Sequence, residues 1–520
     1  MPRFYLTTAI DYANGDPHLG HAFEKIGADA IARYHRQLGY DVHFLIGMDE
    51  HGQKVARTAE QEGVPPQQFV DDIAARFLAT WARLGISHDQ FIRTTAAEHK
   101  AGVARLIERI FAADAALPEA ARNFYERSYT GMYCVGCESF KQPGDVVDGK
   151  CALHTTRTLE EVTEHNWFFR LSAYTARLKA LFAAHPGFLE PESRRNEILQ
   201  LLEQGLDDIS ASRSRFEWGV PFPRPLSSGE TQTTYVWVDA LPNYWTARFF
   251  AGFEHRAAWP ADLHIIGKDI TRFHSVIWPA MLMAAGEPLP GLVWAHGFIS
   301  LGGERFSKSA GVKLELSDAI DRYGVDAFRY YLLGEVPFDG DGNFSWERFE
   351  EVYTSDLANT LGNLGSRSIA MIEKYRGSVV PTGTCDPSLW SMHAADLARA
   401  RAAIDGARRY RPHEAIGALF DAARRTNEYI QRTQPWVMAR DEANAGRLNE
   451  VLHSLAASLA HFAAWLAPVM PEKMQALWEQ LGGPGDVTRV RLDQPIDVGG
   501  WKVTKGAPLF PKPEVPPTVS

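Results

Sequence analysis

The apolar residues of the chain follow two different patterns, one before and one after about residue 350. Before it, short apolar runs at residues 4–10, 42–46, 234–239, 263–266 and 292–299 alternate with segments of helical spacing. That alternation is typical of a parallel sheet covered by helices. After it, the chain is rich in alanine, and its periodic segments at residues 355–375, 394–431 and 448–466 predict long helices.

These patterns predict an α/β fold with an interruption. We expect residues 1–115 and 231–300 to form the two halves of a doubly wound parallel sheet. Residues 116–230 break the alternation and are predicted to be an insertion. Residues 301–350 connect the sheet to a helical bundle with a C-terminal tail, predicted for residues 351–520.

A short motif, PHLGH, occupies residues 17–21, between the first apolar run and the first helical segment. The helix is predicted from small and apolar residues on one face, with Gly39 after its end. These are Phe23, Ile26, Gly27, Ala30, Ile31, Tyr34 and Leu38. Backbone N–H groups and the helix dipole both favour an anion at a helix N-terminus. Two imidazoles and a glycine there predict a phosphate site.

A second motif, RFSKS, occupies residues 305–309 and lies between Gly303 and Gly311. It places a flexible cation and two hydroxyls on a glycine-bounded loop. Each motif alone is weak evidence. In this order and setting, the two resemble the paired signature sequences of class I aminoacyl-tRNA synthetases.

Composition is that of an ordinary globular protein, with 45% hydrophobic and 23% charged residues. The absence of a signal peptide and of an apolar run of membrane-spanning length predicts a cytoplasmic protein without membrane contact. A formal net charge of −10 argues against non-specific nucleic-acid binding but not against a specific RNA. Arginines of the helical region fit either RNA contact or a solvated surface: Arg399, Arg401, Arg408, Arg409, Arg411, Arg424, Arg425 and Arg432.

Three of the four cysteines cluster in the predicted insertion. Cys134 and Cys137 form one pair with a two-residue spacing, and Cys151 and His154 form another. Two such pairs can hold one tetrahedral ion, and thiolates with imidazole suit zinc, although iron stays open. Four protein ligands predict a structural site. Chance clustering is the alternative, and Cys385 is interpreted as an incidental thiol in a linker.

Further sequence blocks resemble methionyl-tRNA synthetases over almost the whole chain. They lie at residues 7–15, 47–52, 166–172, 235–240, 267–270, 273–275, 362–367 and 434–436. The resemblance implies a Rossmann-like catalytic domain, a zinc-knuckle connective insertion and an anticodon-binding helical bundle. It also implies a ligase that activates L-methionine with ATP and Mg²⁺ and charges initiator and elongator methionine tRNA. One structural Zn²⁺ would be bound. The chain ends soon after the helical region, so a monomer is expected.

The family's functional residues transfer to matching positions of this chain. Catalytic roles fall to His18, His21 and Lys308, and ATP contacts also to Gly20, Arg305 and Ser307. The implied methionine pocket comprises Ala9, Ile10, Tyr12, Asp49, Trp237, Ala240, Tyr244, Ile270 and His274, with Asp49 pairing with the ammonium. The implied anticodon contacts are Asn363, Arg367 and Trp436.

The chain departs from the family pattern at several positions. Arg305 and Phe306 replace the usual lysine and methionine of the second motif, and a guanidinium fork is not equivalent to an ammonium. Asp11, Leu241 and Pro242 differ near the pocket, so its detailed shape is not predicted. Two alternatives stay open at this point. One is another class I synthetase, such as the cysteinyl or leucyl type, and the other is an inactive synthetase-like RNA-binding scaffold.

Overall fold

A computed structural model describes residues 1–134, 139–141, 146–152, 154–214, 217–253, 259–301, 304–305, 316–406 and 409–511. The strands are β1 (Arg3–Thr8), β2 (Asp11–Tyr12), β3 (Asp41–Asp49), β4 (Gln90–Arg93), β5 (Phe124–Cys134), β6 (Ser139–Phe140), β7 (Val146–Val147), β8 (Lys150–Cys151), β9 (His154–Thr158), β10 (Glu160–Phe169), β11 (Leu189–Glu190), β12 (Ile209–Ser210), β13 (Ser212–Arg213), β14 (Thr233–Thr234), β15 (Leu263–Gly267), β16 (Val293–His296), β17 (Ile299–Leu301), β18 (Glu304–Arg305) and β19 (Gly342–Phe344). The helices are α1 (Leu19–Gln37), α2 (Gln53–Glu62), α3 (Pro66–Arg83), α4 (Ala97–Asp114), α5 (Thr175–Ala184), α6 (Glu192–Gln204), α7 (Val236–Ala240), α8 (Asn243–Thr246), α9 (Trp278–Ala285), α10 (Leu316–Tyr323), α11 (Val325–Glu335), α12 (Trp346–Val352), α13 (Asn363–Arg376), α14 (Pro387–Asp405), α15 (Pro412–Thr433), α16 (Pro435–Met438), α17 (Ala445–Leu466) and α18 (Pro471–Leu481).

The main sheet is parallel and has the order β11-β16-β15-β1-β3, with β2 and β4 both paired to β3. From β1 the chain passes through α1 to β3 on one side. The strand on the other side of β1 is β15, which comes more than 200 residues later. The strand order therefore reverses at β1. Ligands of open α/β sheets bind at such a switch point, beyond the carboxyl ends of the strands.

Helices cover both faces of this sheet because side chains alternate along β1. Phe4 and Leu6 join a core with α1 and α3, whereas Tyr5 joins a second core with α4 and α9. The predicted doubly wound parallel sheet is thereby observed. The first core also continues into the C-terminal helices, so it includes Leu419 of α15 and Leu459 of α17.

Two small antiparallel sheets lie between the halves of the main sheet. One has the order β12-β10-β5-β6, and the other joins β7, β8 and β9. The long pair β5–β10 runs in register from Phe124 opposite Phe169 to Tyr133 opposite Glu160. Strand β11, from the same stretch of sequence, instead forms an edge of the main sheet beside β16.

Two sequence-based assignments are wrong. Residues 234–239 were expected in one strand, but β14 ends at Thr234 and α7 begins at Val236. A short continuous apolar run such as this one cannot distinguish a strand from a short buried helix. The periodic segment 394–431 is divided between α14 and α15, because the backbone turns after Asp405 and Tyr410 adopts a positive φ of 62°.

The C-terminal helices pack on the catalytic half through buried polar groups of α1. The Gln37 amide donates to the carbonyls of Ala464 and Val487 at 3.0 and 3.1 Å. Asp29 of the same helix accepts from the fully buried Arg329 at 2.6 Å, and Arg329 also donates to the carbonyl of Val469. No helix among the described residues is long and apolar enough to cross a membrane.

Candidate active site

Helix α1 begins at the switch point, immediately after the loop that follows β1 and β2. His18 is its N-cap residue and is exposed, while His21 occupies the first turn. The two imidazole rings stack with centroids 3.7 Å apart and planes 19° apart. The sequence predicted this helix, its face and its end at Gly39, and all three are confirmed.

Hydrogen bonds fix which nitrogen of each ring carries the proton. Nδ1 of His18 accepts from the backbone N–H of Gly20 at 3.1 Å, and Nδ1 of His21 accepts from the N–H of His18 at 3.2 Å. An imidazole nitrogen that accepts a hydrogen bond carries no hydrogen, so in the neutral ring the hydrogen lies on Nε2. Both rings therefore present an Nε2–H donor at a helix end that already attracts anions.

Gly20 is required by the position of the His18 ring. A Cβ atom built on Gly20 would lie 3.0 Å from Cε1 and 3.2 Å from Nδ1 of His18. Any other residue would require the His18 ring to shift by a few tenths of an ångström. The absent side chain thus lets His18 both cap the helix and stay beside His21.

Aromatic side chains from α7, α8 and the segment before α9 form a wall near the carboxyl end of β15. Trp237 stacks on Phe273 with centroids 3.7 Å apart, and it meets His274 edge-on. Tyr244 and His274 are both buried. Half-buried Ala9, Ile10 and Ile270 pack against the same core. The predicted pocket residues Trp237, Ala240, Tyr244, Ile270 and His274 thus lie on neighbouring elements.

His274 is held neutral with a defined hydrogen position. Its Nδ1 lies 3.1 Å from the carbonyl of Ile270, which can only accept, so Nδ1 carries the hydrogen. Nε2 then accepts from the Tyr244 hydroxyl at 2.7 Å. Burial lowers the pKa of His274 to about 4 and raises the pKa of Tyr244 above its usual range. This part of the wall carries no net charge at neutral pH.

Asp49 ends β3 directly opposite Tyr12 of β2, so the predicted ammonium ligand lies beside one wall residue. The turn after it is held on several sides. Glu50 accepts from Arg93 at 2.6 Å, and its carbonyl accepts from the Trp218 indole at 2.7 Å. Gly52 closes the turn with a φ of 114°, which favours glycine.

A buried carboxylate joins this turn to the aromatic wall. Asp239 of α7 binds His51 at 2.7 Å and His99 of α4 at 2.9 Å, and all three side chains are buried. Burial opposes ionisation of Asp239, yet the two histidines outweigh it, His51 foremost, and lower its pKa to about 2. Sequence reasoning missed these residues as a group. His51 and Asp239 lie inside recognised blocks, but nothing in the sequence marks His99.

A cleft of about 330 Å³ opens beside this network. Its lining includes His51, Gly52, Arg213, Trp218 and Tyr235. Arg213 is itself buried and lies over the Tyr235 ring at 4.1 Å. The cleft lies between the turn after β3 and β13–β14, next to the aromatic wall.

Comparisons with known proteins agree with this geometry. A family model described as tRNA synthetases class I (M) matches residues 4–369. The methionine–tRNA ligase of Streptomyces coelicolor is 40% identical, with 99% of this chain and 97% of that protein covered. The enzyme of Caldanaerobacter subterraneus is 42% identical, with 98% and 79% covered. This chain belongs to the methionyl-tRNA synthetases.

Solved structures lead to the same family. The Mycobacterium tuberculosis methionyl-tRNA synthetase in complex with methionyl-adenylate superposes with a TM-score of 0.89 at 38% identity, covering 98% of this chain and 100% of that one. The free form of that enzyme gives 0.83 at 36% identity, with 99% of each chain covered. Membership of the methionyl family removes the cysteinyl and leucyl alternatives. The fold is that of a class I synthetase.

The second signature of this methionyl-tRNA synthetase family lies mostly outside the described residues. Ser307 and Lys308 are not among them, and Arg305 is described only as backbone in β18. The strand before it, β17, pairs with β18 and β19. Asp341, just before β19, accepts from Lys268 at 2.6 Å and from the N–H of Phe298 at 2.8 Å. This ion pair connects the segment after β15 to the sheet of β17, β18 and β19, whose strands precede and follow the second signature in the sequence.

The predicted metal ligands are only partly described. Cys134 ends β5 and Cys151 ends β8, and both thiols are buried. Backbone pairing sets Cys151 opposite His154. Cys137 and the His154 side chain lie outside the described residues. Within the described part of the chain, no three His, Cys, Asp or Glu side chains gather as a metal site.

The predicted anticodon residues lie on two helices that share a neighbour. Exposed Asn363 and half-buried Arg367 are on α13, and half-buried Trp436 is on α16. Both helices pack on α17. The arginines of α14 and α15 mostly pair within the bundle: Arg399 and Arg424 bind Asp421, and Arg425 binds Asp396. Internal pairing favours the solvated-surface interpretation for these arginines.

Proposed function

We propose that the chain activates L-methionine with MgATP and transfers the methionyl group to methionine tRNA, both initiator and elongator. The observation that carries the proposal is the pair of Nε2–H donors of His18 and His21 at the switch point. They lie near a pocket wall that ends at a carboxylate, Asp49. Anion binding, ammonium binding and an aromatic wall are the three requirements for activating this amino acid.

In the first step, a carboxylate oxygen of methionine attacks the α-phosphorus of ATP. A new O–P bond forms, the bond to the β,γ-phosphates breaks, and its electron pair leaves with pyrophosphate. The carboxylate needs no deprotonation, so no general base is assigned. Catalysis then depends on positioning and on neutralising charge in the transition state.

Each signature residue has a proposed part in that step. His18 and His21 donate their Nε2–H groups to phosphate oxygens, and Gly20 keeps the first turn of α1 open for the nucleotide. Lys308 neutralises the leaving pyrophosphate, with Ser307 and Arg305 as further phosphate contacts. Mg²⁺ enters with ATP as part of the substrate.

The methionine pocket has a charged end and an apolar end. Asp49 pairs with the ammonium group, and Ala9, Ile10 and Tyr12 line the neighbouring wall. Trp237, Ala240, Tyr244, Ile270 and His274 surround the thioether. Sulfur gains from contact with aromatic edges, and the neutral His274 avoids the cost of burying a charge beside it.

In the second step, a ribose hydroxyl at the 3′ end of the tRNA attacks the carbonyl carbon of methionyl-adenylate and expels AMP. We propose that Asn363, Arg367 and Trp436 select the tRNA by its anticodon. Unstacked bases are recognised by stacking on aromatic rings and by hydrogen bonds to their edges. A partly exposed tryptophan on a helix that shares the neighbour α17 with α13 suits this task.

One structural zinc is proposed for Cys134, Cys137, Cys151 and His154. Supporting it are the two buried thiols and the pairing of Cys151 with His154 across β8–β9. Thiolate and imidazole donors suit zinc, and a closed site supplies folding energy to a segment with a small core. A monomeric cytoplasmic enzyme is also proposed.

The test is ATP–pyrophosphate exchange with each of the amino acids, followed by two replacements of His18. Methionine alone should support rapid exchange. In His18→Gln the amide nitrogen takes the place of Nε2–H, and in His18→Asn the amide oxygen takes the place of Nδ1. If donation to phosphate matters, His18→Gln should have roughly tenfold or more the exchange activity of His18→Asn.

Helix capping predicts the opposite order for stability, because asparagine is a good N-cap residue and glutamine is not. Melting temperatures of both variants therefore separate the two roles. If activity followed the melting temperature, with His18→Asn the more active, the phosphate role would be wrong. Lack of methionine-dependent exchange in the unmodified enzyme would contradict the proposed function itself.

A further inference from the structure

A buried chain of charged side chains lies beneath the methionine pocket, between α1 and the segment after β1. Lys25 is fully buried, and its ammonium donates to Asp11 at 2.9 Å and to Glu24 at 2.7 Å. The other oxygen of Glu24 lies 3.1 Å from Nε2 of His296, at the end of β16. Lys25 lies outside both signature motifs, and the sequence marks Asp11 only as a departure from the family pattern.

The third N–H group of the Lys25 ammonium donates to the backbone of the predicted pocket wall. The ammonium lies 2.9 Å from the carbonyl oxygen of Ala9. An ammonium has three N–H groups, so these contacts with Ala9, Asp11 and Glu24 use all of them. The carbonyl of Ala9 lies just beyond β1, where the N–H of Ala9 still donates to Ile265 of β15 at 2.9 Å.

Asp11 faces inward, toward Lys25. It is 4% exposed, and burial raises its pKa to about 7 against the lowering effect of Lys25. Side chains alternate along a strand, so Tyr12, the other residue of β2, faces the opposite way. Asp11 therefore does not alter the pocket by its own contact with a ligand.

We propose that Lys25 is a positioning residue that sets the methionine pocket by holding the Ala9 carbonyl. This inference rests on the proposed function and adds to it the residue that fixes the wall. Ala9 and Ile10 precede β2, whose Tyr12 lies opposite Asp49. When Lys25 holds the Ala9 carbonyl, the wall keeps its distance from the ammonium ligand. Asp11 and Glu24 keep the ammonium of Lys25 charged and in place.

The pairing role and the positioning role can be separated by substitution. Lys25→Met removes the ammonium, so the buried carboxylate of Asp11 loses its ion pair with Lys25 and that of Glu24 keeps only His296. Adding Asp11→Leu replaces the Asp11 carboxylate with an apolar side chain of similar shape. Replacing both members of a buried ion pair by apolar residues is often neutral for stability, whereas removing one is strongly destabilising. Neither variant restores a donor to the Ala9 carbonyl.

The experiment measures melting temperature and exchange kinetics, with KM for methionine and for ATP, well below the melting temperature. Lys25→Met should lower the melting temperature and raise KM for methionine at least tenfold. The double variant should recover much of the melting temperature and keep the raised KM. Asp11→Leu alone should raise KM for methionine less than Lys25→Met does, because Glu24 still holds the Lys25 ammonium near the Ala9 carbonyl. KM for ATP should change by less than threefold throughout.

Arg33→Met is the matched control. Arg33 lies on the same helix and pairs with Asp29 at 2.7 Å, two turns beyond Lys25 and toward the helix end remote from the pocket. It should lower the melting temperature without changing KM for methionine. If Lys25→Met does not fold, the double variant gives the same comparison because it also lacks the Ala9 donor.

The inference is overturned if KM for methionine recovers together with the melting temperature in the double variant. It is also overturned if KM for ATP rises as much as KM for methionine. If the proposed function itself is wrong, the result is different: the unmodified enzyme then lacks methionine-dependent exchange. Normal exchange in the unmodified enzyme, with an unchanged KM in Lys25→Met, would reject the positioning role alone.

Discussion

At the scale of single residues, the proposed phosphate site at the start of α1 depends on which nitrogen of each histidine bears hydrogen. The backbone decides this, since N–H groups of His18 and Gly20 occupy the two Nδ1 atoms. The motif in the sequence indicates where the imidazoles lie. It does not indicate their tautomers, which depend on the rotation of each ring about the first helical turn.

Gly20→Ala tests that arrangement with one methyl group. The added Cβ would lie 3.0 Å from the His18 ring, so the ring must shift by a few tenths of an ångström. We expect the exchange rate to fall roughly tenfold or more, because misplaced catalytic groups are costly. The melting temperature should change little, because the helix preference of alanine over glycine offsets the weakened N-cap of His18. Gly417→Ala in α15, where the added Cβ meets nothing within 4 Å, is the control and should leave exchange unchanged.

Asp239 makes stability depend on pH in the acid range. Its folded-state pKa of about 2 lies below the ordinary value of 3.8, so its contribution is complete above pH 4 and is lost as pH falls toward 2. The loss should be about 2 kcal/mol. Asp239→Asn should flatten the fall in melting temperature over this window. Asp493→Asn, at an exposed carboxylate paired with Arg491, should change the slope much less, because solvent screens this pair.

At the scale of elements, the sequence predicted those with strong periodicity and failed at short buried ones. Helix α1 was predicted in full because its face is regular and glycine ends it. Helix α7 was predicted as a strand, because five residues that are mostly buried show no helical period. The contact of Asp239 with His99, 140 residues away, had no local signal at all. Pockets built from such distant contacts require the fold before they can be recognised.

The small sheets that carry the cysteines are predicted to depend on metal. Replacing Cys137 by Ala should remove one equivalent of bound zinc and make residues 124–169 sensitive to protease. The parallel sheet should stay folded, because metal binding supplies folding energy only locally. Elemental analysis and limited proteolysis measure the two effects. Cys385→Ala, whose thiol is half-buried before α14, should change neither, and equal loss of zinc there would refute the assignment.

At the scale of the whole molecule, one hydrophobic core joins the catalytic sheet to the helical bundle. Residues of β1, α1, α11, α15 and α17 belong to it. Helix α1 therefore has its N-terminus at the switch point and its other end against the bundle. Its 19 residues span about 28 Å. This two-part arrangement was predictable from the change of pattern near residue 350, but its shared core was not.

Trp436→Ala tests whether Trp436 contributes to tRNA recognition without contributing to methionine activation. Base stacking on an aromatic ring contributes about 1–3 kcal/mol, so charging of methionine tRNA should weaken roughly tenfold or more. Exchange of pyrophosphate, which needs no tRNA, should be nearly normal. Trp390→Ala is the control, since Trp390 stacks on buried His393 inside the bundle and should lower stability without a specific effect on tRNA. Equal damage to both reactions by Trp436→Ala would identify Trp436 as a core residue.

The hydrogen bonds of Gln37 have a consequence for how the enzyme is made. Its buried amide finds acceptors 427 and 450 residues later in the chain. At roughly 5–20 residues per second on the ribosome, α1 emerges about 20–90 s before those partners. Until then the C-terminal end of α1 stays in contact with solvent. Arg329 likewise lacks its acceptor, the carbonyl of Val469, until that residue has been synthesised. The helix that begins at His18 is thus held at its far end only when synthesis is almost complete.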